Sequence, residues 1–170
     1  IAPRLRELAA AGHEIACHSF HHYRANSLSR ERFRAEIERA KATLEAAVGL
    51  EVRGFRAPEW SLRDIANPRL EIVAEAGFAY DSSLVPAAGA GSSANPQRPV
   101  RITWPGGSSL IEIPPLTWGG ALRLPAGGWC GRAAAPRWIL AAARGQLRRG
   151  GLPLLVVHPW ELVGRAVPGF

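Results

Sequence analysis

Apolar positions along the chain switch between helical and strand spacing, and the alternation predicts an α/β fold. Phe33, Ile37, Ala40, Leu44 and Ala47 fall four, three, four and three apart, which puts them on one face of a helix. Ser29 is placed to cap that helix, Glu31 sits in its first turn where the dipole favours an anion, and Gly49 stops it. Leu5 and Leu8 give a shorter helical stripe over Pro3–Ala11, ended by Gly12. Pro68–Ala76 reads as another helix, and Pro136–Arg149 as the last long one, with Trp138, Ile139, Ala142 and Leu147 on its apolar side. Between these lie short apolar runs that predict strands: His13–Cys17, Glu51–Phe55 and Phe78–Tyr80. Arg101–Trp104 and Ser109–Ile113 predict a hairpin around Pro105-Gly106-Gly107. Leu154–Val157 is a continuous apolar run, the pattern of a strand covered on both faces. Residues 86–99, rich in Pro, Gly, Ala and Ser, read as a loop, and the Gly-rich stretch 117–132 as a structured one.

Polar residues follow the strands directly: His18, Arg56, Asp81 and His158. In a parallel α/β barrel the C-terminal strand ends share one rim, so residues distant in sequence converge there. The segment His18-Ser19-Phe20-His21-His22 has the spacing of two close imidazole ligands, with His21 as a third candidate. Arg56, before the stiffening Pro58, can hold a carboxylate through a bidentate pair, and Trp60 offers a platform for a sugar ring. His158 at a strand mouth is placed for general acid or base work. Glu59, Asp81 and Glu161 are the neighbouring carboxylate candidates, although Asp81-Ser82-Ser83 also reads as a turn or cap.

Composition narrows the classes. The chain has 170 residues, enough for one domain or most of one, and 47% hydrophobic residues, enough for a packed core. Its two cysteines, Cys17 and Cys130, exclude a disulfide scaffold and a four-cysteine zinc site. The formal charge is +7, and of 21 basic residues all but Lys41 are arginine. These cations are spread along the chain rather than clustered, which argues against nucleic acid as a partner. No apolar run reaches the ~18 residues of a membrane span. Methionine is absent, so Ile1 is expected not to be the original start.

Taken in order, three segments resemble the polysaccharide deacetylases of the NodB-homology superfamily, carbohydrate esterase family four. Gly12-His13-Glu14 through His18-Ser19-Phe20-His21-His22 is similar to its second motif, Arg56-Ala57-Pro58-Glu59-Trp60 to its third, and Leu155-Val156-Val157-His158 to its last. The stretch from Ile111-Glu112-Ile113-Pro114-Pro115 to His158-Pro159-Trp160-Glu161 resembles the subgroup encoded with bacterial exopolysaccharide and exosortase systems.

The resemblance spans nearly all of residues 1–170 and implies the C-terminal majority of an irregular (β/α)7 barrel. The family's first motif, with its paired aspartates, has no counterpart, since Asp64 and Asp81 are the only aspartates and neither has that context. The resemblance further implies a divalent metal, zinc foremost, held by His18 and His22 together with an aspartate of that missing motif. His158 would protonate the departing amine, Arg56 would orient the base aspartate, Leu155 would line the acetyl pocket and Trp60 the sugar groove. The implied activity is removal of acetyl groups from N-acetylhexosamines of a bacterial polysaccharide, in the cytoplasm or the cell envelope. The competing expectation is an inactive or merely sugar-binding remnant of such a domain.

Overall fold

A computed structural model of the chain describes residues 1–118, 123–127 and 136–162. Its longest helix, α2 (Arg30–Val48), follows α1 (Ala2–Ala10) and has the expected ends. The Ser29 side chain accepts from Arg32 N, and Gly49 closes the helix at φ 72°, a left-handed turn that costs glycine little. Phe33, Ile37 and Ala40 of α2 are buried, and its outer face carries ion pairs such as Arg34–Glu75 and Lys41–Glu45.

The strands are shorter than the pattern predicts. β1 (Gly54–Phe55), α3 (Arg69–Glu75) and β2 (Tyr80–Asp81) are followed by the antiparallel hairpin β3 (Val100–Thr103) and β4 (Ser109–Glu112). The sheet runs β1-β2-β4-β3, with β1, β2 and β4 mutually parallel. The predicted strand at 13–17 reduces to one parallel bridge, Cys17 to Phe55, made by Cys17 N to Gly54 O and Arg56 N to Cys17 O. β5 (Thr117–Trp118) and β6 (Leu124–Pro125) form a small second ladder. α4 (Pro136–Arg148) and a short α5 (Pro159–Leu162) complete the described elements.

Phe55 anchors the core, with the Phe33 ring edge-on at 6.1 Å and the Phe78 ring at 5.3 Å. Val52, Leu62, Leu70, Val73, Leu84 and Leu110 close around them, fully buried. None of the described helices is long and apolar enough to cross a membrane.

Three expectations need correction. Leu154–Val157 is not covered on both faces: Leu155 and Val157 are 43% and 47% exposed, and among the described residues the segment pairs through the single Leu154–Pro115 bridge. On α4, Trp138 and Leu147 face outward, and the buried position is Gln146, whose amide donates to the Gln97 and Leu152 carbonyls. Leu8 of α1 is 40% exposed. The apolar stripes are present in each case, but the described neighbours cover them only in part: Leu5, Ile139, Leu154 and Val156 are half-buried while Leu8, Trp138, Leu147, Leu155 and Val157 stay exposed. Cys130 and most of the 117–132 loop lie outside the described residues.

Candidate active-site cleft

The Cys17 bridge and the parallel strands β1 and β2 end on one rim, and each hands a polar residue to it. His18 follows the Cys17 bridge, Arg56 follows β1, and Ser82 follows β2. Together with His22, Glu59, Trp60, Tyr80, Leu154, Val156, Val157 and His158 they line a cleft of about 480 Å³.

His18 and His22 stand edge to face with ring centroids 5.0 Å apart. The His18 Nδ1 lies 2.7 Å from the Arg56 carbonyl oxygen. A carbonyl can only accept, so Nδ1 carries the proton, and in the neutral ring Nε2 keeps its lone pair. Burial pulls the His18 pKa below its ordinary value; the bond to the Arg56 carbonyl opposes this, and His22, Arg56 and His158 add to the lowering. A neutral imidazole with Nε2 as acceptor is the form a metal takes.

The loop that presents these rings is under backbone strain. Ser19 and His22 sit at φ 69° and 60°, left-handed values that non-glycine residues seldom adopt. Glu36 of α2 holds the loop in place: one carboxylate oxygen accepts from Ser19 Oγ at 2.8 Å, Phe20 N at 3.1 Å and His21 N. Its other oxygen pairs with His21 Nδ1 at 2.9 Å. Burial would raise the Glu36 pKa, but the donors from His21 and Ser19 outweigh it and hold the carboxyl below its ordinary value. His21 is thus committed to Glu36. Residue spacing alone does not find this clamp. The signal is a carboxylate three residues after Phe33 and four before Ala40, on the buried face of its helix.

Arg56 is held by Ser82, donating from Nε to the carbonyl at 2.8 Å and from a terminal nitrogen to Oγ at 2.9 Å. Its guanidinium carbon lies 5.4 Å from the centre of the Trp60 ring, a cation–π contact. Burial lowers its pKa, with Asp81, Glu112 and Tyr80 opposing. The loop 57–63 has its own strain, with Glu59 and Trp60 at φ 53° and 54°, and it is tied to the histidine loop by Ala25 N donating to Ser61 Oγ. Burial, with a hydrogen bond to Glu14, pushes the Tyr80 phenol up to about 12.

On the facing wall His158 pairs through Nδ1 with Glu161 Oε1 at 2.7 Å. Leu155 is not on this wall: Leu154, Val156 and Val157 line the cleft, and Leu155 turns outward. The cleft therefore gathers His18, His22, Arg56, Trp60 and His158, and leaves out Leu155. Glu59 lines it, Glu161 supports His158, and Asp81 is buried, its carboxylate accepting from Ser83 N and Oγ as the turn-or-cap reading of Asp81-Ser82-Ser83 has it.

Two imidazoles supply two of the three protein ligands typical of catalytic zinc. Among the described residues no group of three or more His, Cys, Asp or Glu is placed to hold a metal ion. His18 and His22 fit a metal as part of a ligand set, not as a whole one.

Comparison with known proteins shows what this cleft is similar to. Residues 2–80 match the polysaccharide deacetylase family model. That match contains both strained loops and the residues His18, His22, Arg56 and Trp60. The "putative polysaccharide deacetylase" of Mycobacterium smegmatis superposes with a TM-score of 0.67 at 26% identity, covering 94% of this chain and 54% of that one. A "probable polysaccharide deacetylase" of Pseudomonas aeruginosa PAO1 gives 0.59 at 16% identity, covering 92% and 50%. A PuuE allantoinase gives 0.59 at 17%, also covering 92% and 50%. The last two speak to fold alone. No curated protein matches. The chain thus has the α/β fold of part of a NodB deacetylase barrel and spans about half the length of these solved structures.

Proposed function

We propose that the chain forms the cleft-bearing part of a metal-dependent hydrolase that removes acetyl groups from N-acetylhexosamine residues of a bacterial polysaccharide, within the exopolysaccharide-associated subgroup. The observation that carries this reading is the pairing of His18 and His22 at one cleft with Arg56, Trp60 and His158, inside and beyond the segment that matches the deacetylase model.

His18 and His22 would hold a divalent metal, zinc foremost, with a third ligand from outside these 170 residues. Bound there, such a metal polarises an acyl carbonyl and brings the pKa of water toward roughly 7. The chain's own residues supply the rest. The Arg56 carbonyl fixes the His18 tautomer, so that Nε2 faces the cation site without a proton. The Arg56 guanidinium, held by Ser82 against the Trp60 face, offers a fixed cation to orient a carboxylate base. His158, with Nδ1 held by Glu161, is the general acid that hands a proton to the leaving amine. Trp60 packs against the sugar ring, and Leu154 and Val156 give the acetyl methyl an apolar wall, the role that the resemblance gave to Leu155.

A second reading, a sugar-binding remnant without turnover, is favoured by one observation: the described residues offer two metal donors rather than three. Zinc titration and acetate release, measured on this chain and on an N-terminally extended one, separate the two. The extended protein should bind zinc and release acetate, and His18→Ala or His22→Ala should abolish both while His21→Ala retains zinc. Equal acetate release from the short and long chains would refute the need for an external ligand. Loss of zinc only in His21→Ala would overturn the choice of ligands.

A further inference from the structure

Behind Arg56 lie two carboxyl groups that the proposed chemistry does not use. Asp81 ends β2 and Glu112 ends β4, and the two are directly paired across the parallel ladder. Both are completely buried. Asp81 accepts from Ser83 Oγ at 2.6 Å and from Ser83 N at 3.1 Å. Glu112 accepts from Leu84 N at 3.0 Å through Oε1, while its Oε2 has no donor among the described residues. As register partners on adjacent strands, the two carboxyls leave the sheet on the same face, side by side.

Two bare carboxylates in that buried position would repel each other, and Glu112 Oε2 would be left without a donor among the described residues. One proton between them removes the repulsion and gives Oε2 its partner. The remaining charge then balances Arg56, whose guanidinium hydrogen-bonds, among the described residues, to neutral Ser82 atoms. We infer that Asp81 and Glu112 share a single proton and together form the buried, singly charged counter-ion that positions Arg56. The coupling also runs through the backbone: Ser83 Oγ, which donates to Asp81, accepts from Ala57 N, the residue next to Arg56, and the Arg56 carbonyl holds His18.

Burial raises both pKa values, and for Glu112 the neighbouring Asp81 raises it further. Arg56 is the cation acting on both, from the end of β1. The helix packed on β4, α3, buries only Leu70, Ile72 and Val73. The pair is therefore insulated from other charges on these elements.

The shared proton stands on the geometry alone; the catalytic use of Arg56 rests on the deacetylase reading. Infrared spectra of the 170-residue chain at pH 7, in water and in deuterium oxide, test the first without reference to activity. The wild type should show one protonated-carboxyl C=O band that shifts on deuteration. Glu112→Gln and Asp81→Asn should each remove it, because the lone remaining carboxyl ionises opposite Arg56. A band that survives in Asp81→Asn would mean an independently protonated Glu112 and would overturn the sharing. No band in the wild type would overturn the proposal outright.

Unfolding as a function of pH gives a measurement that needs no variant to fold. The native pair keeps a proton that the unfolded chain releases above its ordinary carboxyl pKa. The folded-to-unfolded ratio should then fall up to tenfold per pH unit from about pH 7, above the range in which the lowered His18 pKa pulls the other way, to the titration of the pair. A ratio flat across that range would refute the shared proton. Failure of acetate release by the N-terminally extended chain, with the band intact, would refute the deacetylase reading and leave the pair standing.

Discussion

Removing the Glu36 carboxylate should unlatch the histidine loop, and the cost can be worked from its bonds. One oxygen takes three donors, from Ser19, Phe20 and His21, and the other takes the His21 ring. A hydrogen bond to a charged group contributes about 1.5–3 kcal/mol net. Donors sharing one acceptor are not additive, so the sum is well short of four such bonds. Two of the donors are backbone N–H groups, and two loop residues are already at left-handed φ, so the loop gains by relaxing once released. Glu36→Ala should therefore destabilise the fold by about 3 kcal/mol. Glu36→Gln keeps an acceptor oxygen but loses the charge, and about 1–2 kcal/mol is expected. Urea unfolding at pH 7, with both variants in parallel, reads the difference. A loss below about 1 kcal/mol for Glu36→Ala would mean that water satisfies these donors equally well, and the clamp argument would fail.

Other outcomes follow from single contacts. A Cβ on Gly54 would lie 2.2 Å from the Tyr80 hydroxyl and 2.3 Å from its ring carbon, so Gly54→Ala should swing that ring within the cleft. It should cost about 1–3 kcal/mol, read by thermal unfolding together with tyrosine fluorescence; unchanged stability would put the ring elsewhere. The Cys17 thiol is buried and pushed up to about 11, chiefly by that burial. In a Cys130→Ser background it should resist a thiol reagent at pH 8 in the native protein and react on unfolding; fast native labelling would contradict the burial.

The helices were legible in the sequence because their signals are local. The Ser29 cap, the Gly49 stop and the stripe from Phe33 onward are each written within a few residues. The rim positions of His18, Arg56 and His158 were legible for a similar reason: a polar residue after an apolar run marks a strand end. Strand length was not legible, because whether residues 13–17 pair along their length or at Cys17 alone depends on partners distant in the chain. The same holds for Leu155, whose outward turn reflects which faces have neighbours rather than the residue type. Glu36 and Glu112 went unassigned, and Asp81 was read without its partner, because a carboxylate inside an apolar pattern reads as noise until its neighbours are known.

The single bridge at Cys17 has a consequence for how this cleft changes shape. Cys17 is bonded to β1 through both its N–H and its C=O, and the next residue's ring is bonded to the Arg56 carbonyl. Imidazole and guanidinium therefore travel as one piece with the floor of the sheet. Any widening to admit a bulkier chain must come from the opposite bank at 154–158, which is tethered through Leu154 and abutted by Gly127, whose missing side chain leaves room for the Val156 carbonyl. Filling that notch with even a methyl group would be a way to reset the gap between the banks while leaving the ligand rings untouched.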